Sequence, residues 1–160
     1  MDFLLKQNLL LIVRAMYFCV EEHWAELGRK YLITPAQQHV LFLLYTSSEK
    51  SLSPSQLSEY GCWHISTVTR LIKPLESKAL IEVLPDKRPK YKVVKLTESG
   101  TNMIERLIMA VNEMPFFPFD INPLSENEIG QFLQSAERIL EANRSKEFSN
   151  WISRVKTGSY

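Results

Sequence analysis

Between residues 64 and 90 the chain sets out His64, Ser66, Thr67, Thr69, Arg70 and Lys73, then Arg88 and Lys90. These side chains share one chemistry, the binding of a polyanion. Short hydroxyls hydrogen-bond phosphate oxygens or base edges with little steric cost. The Arg70 guanidinium presents a planar fork that matches guanine O6 and N7, or a single phosphate. His64 and Ser66 fall where a helix starts, and there unpaired N–H groups favour an anion. Charge is distributed accordingly. The net charge is only +1, yet residues 61–95 carry eight Lys/Arg against three acids, a local balance of +5. Residues 1–60 stand at −1 and residues 96–150 at −5. A basic middle between neutral and acidic ends is the footprint of nucleic-acid binding on one module.

Other chemistries find little support. His23, His39 and His64 are scattered, with no HxxxH or HExxH spacing. No GxSxG, phosphate loop or dinucleotide fingerprint occurs. Neither an enzyme nor a metal or organic cofactor is expected. The two cysteines form no CxxC pair, which argues against a zinc site or disulfide scaffold. Cys62 lies near positive charge and is the better candidate for a reactive thiol. Cys19, between Phe18 and Val20, is expected to be a buried small apolar residue.

Capping chemistry locates the elements that must hold the basic side chains. Thr34-Pro35-Ala36-Gln37, Ser53-Pro54-Ser55-Gln56 and Ser125-Glu126-Asn127-Glu128 are three capping boxes. In each, the hydroxyl satisfies an orphan N–H while the third side chain reaches back. A first helix is predicted over 3–29, its apolar residues recurring every three or four positions and Gly28 marking its end. A second follows Thr34, and a short third covers 54–60. Gly61 is expected to supply left-handed backbone for a tight Gly61-Cys62-Trp63 turn. A fourth helix covers 64–78, with Ile65, Val68, Leu71, Ile72 and Leu75 inward and Ser66, Thr67, Thr69, Arg70 and Lys73 outward. Two strands, 81–84 and 91–96, form a ribbon whose tip is 85–90. Thr97 caps a fifth helix running to about Glu113. A sixth starts after Ser125 and passes Asn143, with a break before Phe148 left open.

A segment rich in Leu and Ile, 3–20, is interrupted by Lys6, Gln7, Asn8 and Arg14. It is read as a soluble helix without spanning length, in a cytoplasmic protein with no membrane partner.

Three helices and two strands after residue 34, with a three-residue Gly-containing turn, form the order of a winged helix-turn-helix. The fold class expected is mainly α with a small β-ribbon. Gln56-Leu57-Ser58-Glu59-Tyr60, His64 through Ile72, and Leu75 through Ile81 together resemble the MarR family of bacterial regulators. Lys95-Leu96-Thr97-Glu98-Ser99-Gly100 is similar to that family's LTxxG segment. Gly61 through Thr67 resembles a subgroup that includes regulators of protease production in Bacillus. The resemblance is sharp over 34–100. It implies double-stranded DNA as partner, probed by a recognition helix in the major groove and a wing in the minor groove. It also implies a homodimer on a pseudopalindromic operator, with residues 1–33 and 98–160 as dimerisation segments around a 34–97 DNA-binding domain. A small aromatic effector is a further partner it implies. The apolar faces of the first and sixth helices agree with a dimer, being a liability on a monomer.

The chain departs from the family in three places. Asp86-Lys87-Arg88 lies eleven residues before Thr97, where the family's Asp-x-Arg lies nine before, so Arg88 and Lys90 share the claim to the wing position. Pro74 stands inside the fourth helix and removes an N–H bond to the Arg70 carbonyl. Ala79 stands where Gly is usual, which leaves the end of that helix open. Two other functions remain: a winged-helix module for an acidic protein partner, and a thiol-based sensor using Cys62 or Cys19.

Overall fold

The computed structural model describes residues 2–88, 91–156 and 158. The elements in chain order are α1 (Phe3–Tyr31), α2 (Pro35–Tyr45), β1 (Ser51–Leu52), α3 (Pro54–Tyr60) and α4 (Ile65–Ser77). They continue with β2 (Ile81–Pro85), β3 (Lys92–Leu96), α5 (Glu98–Asn112), α6 (Glu126–Asn143) and α7 (Lys146–Lys156). The three strands form an antiparallel sheet in the order β1-β3-β2. Glu82 faces Lys95 and Pro85 faces Lys92 across β2 and β3.

All three capping boxes form, with both reciprocal bonds present in each. Helix α2 is the hub. It packs on α1, α4 and α5, and Val40, Leu41, Leu43 and Leu44 on it are fully buried. Leu57 from α3, Val68 and Leu75 from α4, Ile81 from β2 and Val94 from β3 complete the centre of the core.

Several helix ends differ from the sequence-based expectation. Helix α1 runs past Gly28 to Tyr31, and Leu32 takes the left-handed cap. Gly28 is needed for close approach instead, since a β-carbon there would lie 2.1 Å from the Ile33 carbonyl oxygen. In the turn after α3, Gly61 is right-handed and Cys62 is the left-handed residue, with φ +57°. Gly61 is required because its β-carbon would meet the Trp63 ring at 2.3 Å and the Leu57 carbonyl at 2.9 Å. Helix α4 remains continuous through Pro74.

Its end is a Schellman motif on a non-glycine residue. The Leu80 N–H donates to the Leu75 carbonyl at 3.0 Å, the Ala79 N–H donates to Glu76 at 2.9 Å, and Ala79 has φ +55°.

The C-terminal segment is two helices, broken by extended backbone at Arg144. Ser145 caps the second by accepting from the Phe148 N–H at 3.1 Å. Helix α7 then packs on α3, with Phe148 and Trp151 buried and Trp151 stacked on Tyr60 at 5.1 Å.

The first half of α1 is exposed around its whole circumference, including Phe3, Leu9, Ile12 and Phe18. Contrary to the sequence reading, α1 is long and apolar enough to cross a membrane by length and composition, because Lys6 and Arg14 are too few to interrupt it. Cys19, expected to be buried, is exposed on this helix, because α1 is buried against the core only near its C-terminal end, at Leu27 and Gly28.

Candidate nucleic-acid interface

Helix α4 separates its faces much as its periodicity requires. Val68, Ile72 and Leu75 are buried against the core. Ser66, Thr69, Arg70 and Lys73 are exposed, and Thr67 is half-buried at the edge of that face. Ile65 was expected inward but is 43% exposed. It opens the helix, and helical side chains lean toward the N-terminus, so it projects beyond the packed turn.

The start of α4 is occupied by its own side chains. His64 is the N-cap, and its Nδ1 accepts the Ser66 N–H at 3.3 Å and lies 2.8 Å from Ser66 Oγ. Its Nε2 edge is what remains for another molecule. Thr69 donates its hydroxyl to the Ile65 carbonyl at 3.1 Å, keeping lone pairs outward. An Arg70 N–H lies 3.4 Å from Thr67 Oγ1, a long contact that leaves the guanidinium plane available.

The wing is organised around Arg88. Its guanidinium donates to Asp86 Oδ2 at 2.9 Å and lies 4.6 Å from the centre of the Tyr91 ring. Its backbone N–H also reaches Asp86 Oδ1, at 3.2 Å. These bonds hold the Asp86 carboxyl below its ordinary range, the side-chain bond from Arg88 contributing most. The tip closes where the Asp86 N–H donates to the Tyr91 carbonyl at 2.9 Å. Lys90, the other candidate for the wing position, lies outside the described residues.

Thr69 and Lys73 on α4 share a cleft of about 600 Å³ with Leu84, Pro85, Tyr91 and Lys92 on the wing. The exposed face of α4 and the wing are therefore two walls of one surface. Lys92 was not among the predicted site residues, although it stands on the exposed side of β3 in that cleft. Lys92 shares the parity of the buried Val94 and Leu96 but lies beyond the end of the core.

Behind the turn, His39 of α2 sits in an aromatic box. Its ring centre is 5.4 Å from Trp24 of α1, 5.3 Å from Trp63 and 6.5 Å from Phe42. Nδ1 is buried with no hydrogen-bond partner. Burial pushes its pKa down to about 4, so the ring is neutral near neutrality. Among the described residues no group of three His, Cys, Asp or Glu is placed to hold a metal. Cys62, at the turn, is exposed.

Comparison with known proteins bears on the same segment. Residues 33–90 match the MarR family model. The HTH-type transcriptional regulator Hpr of Lysinibacillus sphaericus is 30% identical over 104 residues, which are 63% of this chain and 54% of that protein. The DNA-binding transcriptional repressor ScoC of Bacillus subtilis is 28% identical over 64% of this chain and 50% of its own length. The match thus spans about half the length of these relatives. The structure of Sco3205, a MarR family transcriptional regulator from Streptomyces coelicolor solved in complex with DNA, superposes with a TM-score of 0.75. That superposition covers 92% of both chains at 14% identity, which shows a shared fold. The matched segment runs from α2 to the wing, and these elements follow the order of a winged helix-turn-helix.

Proposed function

We propose that this protein is a sequence-specific DNA-binding transcriptional regulator, acting as a repressor. The observation that carries this reading is the paired surface: α4 exposes Ser66, Thr69, Arg70 and Lys73 beside a wing that props Arg88 on Tyr91 and Asp86. In this reading α4 enters the major groove, where Arg70 contacts guanine or phosphate. Thr67 and His64 flank it on the backbone, and Arg88 enters the minor groove. The DNA-bound state of the structural neighbour and the repressor name of the Bacillus relative support it.

The protein acts in the cytoplasm as a homodimer on a pseudopalindromic operator. Residues 1–33 and 98–160 form the dimer arms and 34–97 the DNA-binding domain. Support comes from the apolar surface of α1 and from Phe132, Leu133 and Ile139 on α6, which a second copy would cover. No enzymatic role is proposed. An apolar cavity of about 260 Å³ between α1, α2 and α5, walled by Trp24, Phe42, Leu107 and Phe117, fits a small aromatic effector.

Selection of bound duplexes from a random pool tests the reading, followed by binding of Arg70→Ala and Arg88→Ala variants to the selected site. Each variant is expected to lose about 1–3 kcal/mol. A purified protein that bound no duplex at low salt would overturn it.

A further inference from the structure

Helix α6 carries Phe132, Leu133 and Ile139, the apolar residues offered to a second copy, and within its own chain it packs on α7. The far end of α7 is tied back to α6, where Lys156 Nζ lies 2.6 Å from Glu137 Oε1. Leu140 of α6 and Ile152 of α7 are both half-buried against the core.

Helix α7 in turn grips the last turn of α3. Trp151 and Phe148 are buried, and Trp151 stacks on Tyr60 with the ring planes 9° from parallel. Ser145, which caps α7, donates its hydroxyl to Glu59 Oε1 at 2.6 Å. Glu59 and Tyr60 are the last two residues of α3. Only the Gly61-Cys62-Trp63 turn separates them from His64, the N-cap of α4. That turn is braced, since the Ser58 hydroxyl donates to the Trp63 carbonyl at 2.6 Å and the Trp63 N–H donates to the Ser58 carbonyl at 3.0 Å. A path of packed and hydrogen-bonded groups thus runs from α6 through α7 and α3 to the start of α4.

We propose that α7 is a bracket fixing α4 relative to the dimer arm, with Trp151 and Tyr60 as positioning residues that select the spacing between operator half-sites. The inference rests on the DNA-binding and homodimer readings above. In a two-fold dimer, the distance and angle between the two α4 helices decide which spacing lets both enter the major groove. One base pair inserted between half-sites moves one of them by about 3.4 Å and turns it by about 34°. A lobe hinged only where α5 leaves it could follow such a change, whereas a lobe also held through α7 cannot. The two contacts to α3 suit this role because both are directional. The stack fixes the planes of Tyr60 and Trp151, and the hydroxyl–carboxylate bond fixes the line from Ser145 to Glu59.

The test uses the full chain, the selected operator, and duplexes whose half-sites are moved apart or together by one and two base pairs. The wild type is expected to lose about tenfold in affinity or more for each base pair, because a mis-spaced site forfeits the gain from two linked contacts. Trp151→Ala is expected to remain a dimer in sedimentation velocity and to lose about threefold or less for the same displacement. Its sequence preference within a half-site is unchanged, since the exposed face of α4 is intact. A residue that merely stabilised the fold would instead lower binding by one factor at every spacing. Trp151→Phe keeps a flat ring against Tyr60 and is expected to restore the wild-type profile. Should Trp151→Ala not fold, Glu59→Ala removes the bond to Ser145 and is expected to flatten the profile in the same direction. A folded Trp151→Ala with the wild-type profile overturns the proposal, as does an unchanged profile in Glu59→Ala. A wild type that binds every spacing equally also overturns it. A wild type that binds no duplex overturns the DNA-binding reading, one that binds as a monomer overturns the homodimer reading, and the proposal falls with either.

Discussion

The Thr97 hydroxyl donates to the Ala79 carbonyl at 2.7 Å, tying the start of α5 to the point where α4 turns into β2. The same oxygen accepts the Gly100 N–H at 3.0 Å as the N-cap of α5. One hydroxyl thus joins the end of α4 to the helix leading away from the helix-turn-helix. Thr97→Val removes both bonds and is expected to cost about 1–2 kcal/mol in urea unfolding. A loss within about 0.5 kcal/mol, the range of neutral surface changes, would show that neither bond matters.

Both helices of the helix-turn-helix end on left-handed residues that are not glycine, Cys62 at φ +57° and Ala79 at φ +55°. A side chain in that region costs about 1 kcal/mol relative to glycine. Ala79→Gly and Cys62→Gly are each expected to raise stability by roughly that amount, offset in part by the greater freedom of glycine when unfolded. Thermal unfolding of the two single variants and the double checks this, and a lowered midpoint for either would contradict it.

Gly61 and Gly100 should resist change for a different reason, lack of room. A β-carbon at Gly100 would lie 1.9 Å from the Leu80 carbonyl oxygen, and one at Gly61 would meet the Trp63 ring. Gly100→Ala and Gly61→Ala are expected to cost about 2–3 kcal/mol each by overpacking. Denaturant midpoints measure this, and a variant matching the wild type would mean that the backbone yields.

These residues also show what sequence alone makes legible. Capping boxes put both bonding partners within four residues, so Thr34, Ser53 and Ser125 were readable as helix starts. The recognition face followed from the period of Val68, Ile72 and Leu75. Helix ends were less legible, because a left-handed residue is favoured locally as glycine but fixed by contacts made elsewhere. Hence Gly28 and Gly61, read as backbone breakers, serve close packing instead. Strand β1 has two residues and no period to detect; it exists because Ser51 and Leu52 pair with Lys95 and Val94. The break before α7 has neither Gly nor Pro, though Ser145 as a cap was a signal. The Trp151–Tyr60 stack joins positions ninety-one residues apart, and nothing local announces it.

Acid should weaken the fold through His39. Its pKa is about 4 when folded against an ordinary value of 6.5, so the unfolded chain binds the proton more tightly. Stability is then full above about pH 6.5, falls as pH drops through that value, and levels off below about pH 4. The span corresponds to about 3 kcal/mol for this group. His39→Phe keeps an aromatic ring among Trp24, Phe42 and Trp63 and removes the unpartnered Nδ1. It is expected to flatten the stability profile between pH 4 and 6.5 and to add stability at neutral pH. An unchanged slope in that window would place the acid sensitivity elsewhere.

The surface of α1 offers the sharpest test of assembly. Leu9, Ile12 and Val13 are 47%, 58% and 56% exposed, and no side of the helix near them is covered within one chain. An interface with a second copy removes this area from water, at about 25 cal/mol for each Å². Ile12→Asp places a charge in that interface and is expected to shift the protein from dimer to monomer in sedimentation velocity. DNA binding falls with it, because two linked recognition helices gain about a hundredfold or more over one. The same helix is long and apolar enough for a bilayer, and vesicle flotation separates the two fates. Wild-type protein that remains in solution as a dimer assigns α1 to the partner chain, whereas protein that floats with vesicles assigns it to lipid.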